Sequence, residues 1–210
     1  VFVGQSVVDY QNPVPFPGIK TSIREAALVK AAVRDGGEWW RLVTTGLLHG
    51  NLIHIVFNGM ALFSLGRVIV ALVSPSLLSI VFLASVITGS LASLYLGQAP
   101  ASVGASGGIL GCLGFLLVVT RKFRRQVPDY LRTNLIMSCI VIAIFGLLGS
   151  QFIDNAAHIG GFVGGVVLGE VLYSQLKLVP GSTGKSIRAV SILCVGILLS
   201  GIAKVFWEFW

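Results

Sequence analysis

The stretch Gly104-Ala105-Ser106-Gly107-Gly108-Ile109-Leu110-Gly111-Cys112-Leu113-Gly114 opens an apolar run that ends at the basic group Arg121-Lys122. A second run begins with Asn155-Ala156-Ala157-His158-Ile159-Gly160-Gly161. Each places one chemically active side chain, a serine and a histidine, near the start of a glycine-rich apolar segment. An ionisable group in such a segment is costly unless it is used, so the two runs point to chemistry carried out inside lipid.

Composition supports that setting. Apolar residues make up 55% of the chain, charged residues 11%, and mean hydropathy is +0.90, far from the habits of soluble domains. Apolar runs long enough to span appear at about 52–73, 76–97, 134–149, 155–176 and 187–206, with a shorter one at 107–120. None shows the period-2 alternation of a barrel strand. The expectation is an all-α, polytopic transmembrane helix bundle forming one domain over 1–210, without repeats or linkers. Val1–Val8 is apolar but too short to cross a ~30 Å hydrocarbon layer and reads as the tail of a helix whose start precedes the sequence. No signal peptide is read there.

Charge sets the orientation, because Lys and Arg near the ends of spans favour the cytoplasmic side. Arg121, Lys122, Arg124, Arg125 and Arg132 are expected in one inner loop, and Lys177, Lys185 and Arg188 in another. Alternation then puts an outer loop at about 9–48, the connection 97–105 and the connection 150–154 on the opposite side. The net charge of +7 is thus a topology signal, and nucleic-acid binding is a poor explanation for it. Trp207 and Trp210 fit an outer aromatic belt. Cys112, Cys139 and Cys194 all fall within spans, where they act as small packing residues. No disulfide framework and no metal-ligand spacing is present.

Depth follows from counting residues. Ser106 lies fifteen residues before Arg121, about 22 Å at ~1.5 Å per residue against a ~30 Å hydrocarbon core. Ser106 is therefore expected several ångströms below the outer surface, with 98–105 dipping into the membrane and lining a wet pocket. The same count from Arg67 puts His54 at ~20 Å and Asn58 at ~13 Å from the inner interface. His54 and Asn58, four apart, share one helical face, whereas His49 and His54, five apart, would point away from each other. Gly161, Gly165 and Gly169 form a stripe with His158, and Gly107, Gly111 and Gly114 form another beside Ser106. Facing stripes of this kind let two helices approach closely. Asp154 is expected at the outer interface, and Glu170 beside a basic neighbour at the inner end of its span.

These residues resemble the rhomboid family of intramembrane serine proteases. The likeness runs from Gly37-Glu38-Trp39-Trp40-Arg41-Leu42-Val43-Thr44 through His49-Gly50-Asn51-Leu52-Ile53-His54-Ile55-Val56-Phe57-Asn58 and Gly104-Ala105-Ser106-Gly107-Gly108 to Asn155-Ala156-Ala157-His158-Ile159-Gly160-Gly161. The resemblance implies a rhomboid-like six-helix core, its first helix largely absent from this sequence, plus an extra C-terminal helix at about 187–206. It implies that Ser106 is the nucleophile and His158 its base, a dyad without an aspartate. His54, Asn58 and the Ser106 backbone N–H would form the oxyanion hole, and Trp40-Arg41 would belong to an outer loop lying against the membrane. At 67, where the family often carries an acidic residue, this chain has Arg67.

The activity expected from the resemblance is that of an intramembrane serine endopeptidase acting on single-span transmembrane proteins in a bilayer, without a cofactor. The expected location is a bacterial inner membrane, and the oligomeric state is left open. Gly104-x-Ser106-x-Gly108 also fits the nucleophile elbow of α/β-hydrolases, but that motif needs a soluble sheet before it. A transporter would show repeated halves. The main alternative is a non-catalytic rhomboid-like scaffold that binds client membrane proteins.

Overall fold

The computed structural model describes residues 25–176, 178 and 184–209. The helix tail read at Val1–Val8, the first part of the outer loop, Lys177 and Trp210 lie outside the described residues. The fold is all-α. Among the described residues two short helices, α1 (Lys30–Arg34) and α2 (Arg41–Thr44), precede six long ones: α3 (Leu52–Leu72), α4 (Pro75–Leu96), α5 (Ser106–Lys122), α6 (Asp129–Leu148), α7 (Asn155–Leu172) and α8 (Lys185–Phe209). By length and composition α3, α4, α6, α7 and α8 can each cross a membrane. The chain is an integral multi-pass membrane protein.

Side chains set where the helices begin. Asn51 caps α3 by accepting from the His54 N–H at 2.8 Å. Ser74 caps α4, accepting from the Leu77 N–H at 3.3 Å ahead of Pro75 in the first turn, where proline's missing N–H removes no helical bond. Asp154 caps α7, accepting from the Ala157 N–H at 3.0 Å. Helix α6 starts at Asp129 rather than at the expected 134, and α8 starts at Lys185, so Arg132, Lys185 and Arg188 lie on helices instead of in loops. Hydropathy marks only the hydrocarbon-buried part of a helix, and long basic side chains let the helix run on into the interface.

The core forms around α5. Ile109, Cys112, Leu113, Phe115, Leu116 and Val119 of this helix are buried with Leu77, Val81, Phe82 and Val86 of α4 and Ile69 of α3. Among the described residues α5, α4 and α7 make the closest three-helix contact. By contrast α3, α6 and α8 turn Phe57, Phe63, Phe145, Leu148, Ile192 and Leu199 outward, which suits lipid rather than water. α5 has 17 residues, about 26 Å at ~1.5 Å each, and is the short helix that the sequence suggested.

The outer loop is tied down by a two-residue antiparallel ladder absent from the sequence reading: β1 (Leu28–Val29) pairs with β2 (Ala101–Ser102), Leu28 opposite Ser102 and Val29 opposite Ala101. The Lys30 Nζ donates to the Gly97 carbonyl at 2.6 Å, Ser90 Oγ to the Leu42 carbonyl at 2.9 Å, and Arg34 to the Leu94 carbonyl. The loop is thereby laced to the outer end of α4 and to the strand that leads toward Ser106.

Candidate active site

Ser106 is the first residue of α5, with Ala105 in the N-cap position. The approach to it is built by backbone bonds. Thr45 Oγ1 donates to the Ser102 carbonyl at 2.7 Å, and the Gly104 N–H donates to the Thr45 carbonyl at 3.0 Å. Gly104 has φ 140°, a conformation that only glycine adopts without strain. The chain thus leaves β2, turns sharply at Gly104 and enters α5, delivering Ser106 to the helix N-terminus where N–H groups are not used by the helix.

His158 is placed by the cap of α7. Asp154 Oδ1 takes the Ala157 N–H, the Asp154 carbonyl takes the His158 N–H at 3.1 Å, and the Ser93 hydroxyl of α4 donates to the same aspartate carboxylate. The His158 Nε2 lies 2.8 Å from Ser106 Oγ. Glycines make that separation possible. A methyl group on Gly161 would sit 2.0 Å from the Gly107 carbonyl oxygen, and one on Gly165 1.8 Å from the Gly111 oxygen. A third helix, which sequence reasoning left out, closes the same contact: at Gly89 of α4 a methyl would be 2.7 Å from the Ala157 oxygen, and at Gly111 it would be 1.9 Å from Ser85 Oγ. The spacing Ser85, Gly89, Ser93 on α4 was the available signal.

His54 is packed against the Gly104 turn, its Cε1 2.9 Å from where a Gly104 methyl would lie. One turn further along α3, the Asn58 Nδ2 is buried and makes no hydrogen bond within the described residues. His49 precedes α3, so the helical angle expected between His49 and His54 does not apply, and the two rings meet edge-on with centroids 5.1 Å apart. Burial, with the neighbouring His54, pushes the His49 imidazole down to about 4, which keeps it neutral at pH 7. Among the described residues no group of three or more His, Cys, Asp or Glu side chains is arranged to hold a metal ion. Cys112, Cys139 and Cys194 are free thiols, with Cys112 buried in the core.

A cavity of about 550 Å³ opens between the start of α3, the end of α4 and the start of α7, lined by Asn51, His54, Gln98, Ser102, Gln151 and Asp154 among others. Ser106 and His158 lie outside its lining, while His54 is part of it. Glu170, at the other end of α7, pairs with Lys122 at 2.9 Å and with Arg121, an ion pair at the opposite end of α5 from Ser106. In the outer loop Arg41 is fully buried: its Nη1 donates to the Ala27 carbonyl at 2.7 Å and its Nε lies 2.5 Å from Glu38.

The chain is similar in sequence to known proteins. A family model described as Rhomboid domain matches residues 36–175. The chain is 38% identical over 169 residues to Rhomboid protease GluP of Bacillus subtilis (strain 168), a match covering 79% of this chain and 32% of that protein. It is 33% identical over 168 residues to RHOMBOID-like protein 6, mitochondrial, of Arabidopsis thaliana, covering 79% and 54% respectively. RHOMBOID-like protein 4 of the same plant is 32% identical over 162 residues, covering 77% and 41%. The chain thus spans between about a third and a half of the length of these relatives. The family match takes in the last part of the outer loop from residue 36, α2 and every helix from α3 to α7, two thirds of the chain, and on that extent the chain belongs to the rhomboid family.

Proposed function

We propose that this protein is an intramembrane serine endopeptidase that cuts single-span transmembrane substrates with a Ser106–His158 dyad. The observation that carries the reading is the 2.8 Å contact between His158 Nε2 and Ser106 Oγ, within reach for proton transfer. With the His158 proton on Nδ1, the free Nε2 accepts from the serine hydroxyl. Ser106 Oγ attacks the scissile carbonyl carbon as its proton passes to Nε2, and the carbonyl oxygen becomes an oxyanion. The tetrahedral species collapses, the C–N bond breaks, and His158 returns the proton to the leaving amine. Water then repeats the sequence on the acyl-enzyme: His158 takes its proton, hydroxide adds to the ester carbon, and Ser106 leaves as the free hydroxyl.

The unused Asn58 amide and the His54 ring, with the Ser106 N–H, are the donors for the oxyanion. Each such donor is commonly worth about 3–4 kcal/mol in the transition state. The N-terminal end of α5 adds the positive pole of the helix dipole. The outer cavity supplies the water that deacylation consumes. Substrate helices must unwind to expose a carbonyl to Ser106, which favours small, helix-breaking residues at the cut. We place the protein in a bacterial inner membrane, with the basic inner ends facing the cytoplasm.

Liposomes carrying the protein and a fluorescent transmembrane substrate provide the test. The wild type is expected to cleave, with Ser106→Ala and His158→Ala each slower by at least about 10³-fold. Equal behaviour of the three folded proteins would remove the protease reading and favour a client-binding scaffold.

A further inference from the structure

The C-terminal helix takes no part in the dyad, yet its outer end is seated on the outer loop. Ser191 near its start lies 2.9 Å from Ser79 of α4, Oγ to Oγ. Further along, Gly201 is buried, and a methyl there would be 3.1 Å from Leu47 and 3.4 Å from Val43. One turn on, the Lys204 ammonium lies 4.9 Å from the centre of the Trp40 ring, while the Arg41 guanidinium lies 4.7 Å from the same ring. The Glu208 carboxylate, its side chain only 9% exposed, holds Lys204 Nζ at 2.5 Å. Trp40 therefore meets two cations, one from its own loop and one from α8.

What Trp40 and Arg41 support is the approach to Ser106. Arg41 bonds the Ala27 carbonyl and Thr44 Oγ1 bonds the Ala26 carbonyl at 2.7 Å, both just before β1. β1 pairs with β2, and Thr45, next to Thr44, bonds Ser102 and Gly104. Every link is a named bond between neighbours, and the last falls two residues before Ser106. We propose that α8 is a positioning element for the Ser106 turn, with Lys204 on Trp40 as the contact that holds α2 and the following turn in register. Lys204 acts through other residues and touches no reacting atom. The contribution to turnover rests on the protease reading; the contribution to loop order does not.

Two measurements on the full chain in liposomes test this, with wild type, Lys204→Met and Lys204→Arg. The first is amide exchange over 38–47 and 99–106, with 129–148 of α6 as the internal reference. Lys204→Met should exchange about three- to tenfold faster in the first two segments and at the wild-type rate in the reference, given the modest strength of one cation–π contact. Lys204→Arg keeps the cation and should restore protection. The second is steady-state cleavage, where Lys204→Met should lower kcat by about three- to tenfold with KM within about twofold, and Lys204→Arg should recover most of it.

Unchanged exchange at 38–47 and 99–106 in Lys204→Met overturns the proposal, as does a uniform increase that includes α6, which would mean general loosening. Faster exchange with wild-type kcat would leave α8 bracing the loop without positioning the serine, and overturns the positioning role. A wild type that orders the loop but cleaves nothing would count against the protease reading alone, since the exchange result stands by itself.

Discussion

At Gly104 the backbone holds φ 140°, and the position of a missing methyl lies 2.9 Å from His54 Cε1. Gly104→Ala meets both a strained conformation, costing roughly 1–3 kcal/mol, and a contact with a ring that the turn must accommodate. We expect at least about tenfold slower cleavage with the helices still formed, checked by kcat alongside circular dichroism. The motif reading named Gly104 beside Ser106, but its backbone angle depends on the bond to Thr45, some sixty residues earlier in the chain. His49 makes a second residue-level prediction. Its imidazole is held at about 4, below the ~6.5 of an unfolded chain, so its contribution to stability is present above about pH 6.5 and lost as pH falls toward 4. Thermal unfolding in detergent should show Tm falling over that window, and His49→Gln should flatten the dependence. An identical pH profile in the variant would remove His49 as the source.

Between elements, the α5–α7 contact is closer than any side chain permits. Gly161→Val would force the Gly107 carbonyl to move from a position 2.0 Å from the new Cβ, widening the gap between Ser106 and His158. Cleavage should vanish, and stability should drop by roughly 1–3 kcal/mol or more from overpacking. Gly59 is the control: a methyl there meets nothing within 4 Å, and Gly59→Ala removes a helix-interior glycine worth roughly 0.5–1 kcal/mol. Its Tm should be unchanged or slightly higher, with activity retained. The glycine stripes on α5 and α7 were legible because their spacing repeats on one helical face. The part played by α4 was harder to read: the spacing Ser85, Gly89, Ser93 is present in the sequence but gains its meaning only from the helices beside it.

For the whole molecule, one end carries a close run of basic residues: Arg121 and Lys122 close α5, Arg124 and Arg125 follow, and Arg132 lies in the first turns of α6. The opposite end carries the loop laced through Lys30, Arg41 and Thr44. With the three native cysteines replaced, Arg125→Cys in sealed vesicles should react with an impermeant thiol reagent from one side only, and Gln151→Cys only from the other. Labelling of both from the same side would contradict the assigned number of crossings.

The sequence by itself determined that helices span a membrane and roughly where each one lies, and residue counting set Ser106 and His54 at similar expected depths. These are local quantities: hydropathy sums over a span, and depth follows from the fixed rise per residue. Tertiary structure alone decided the β1–β2 ladder, the buried Arg41, the wedge of α4 against α5 and α7, and the seat of α8 on Trp40. Each joins residues far apart in the chain through one bond or one close approach. No periodicity records such pairings, because they depend on how finished helices pack rather than on what makes each helix form.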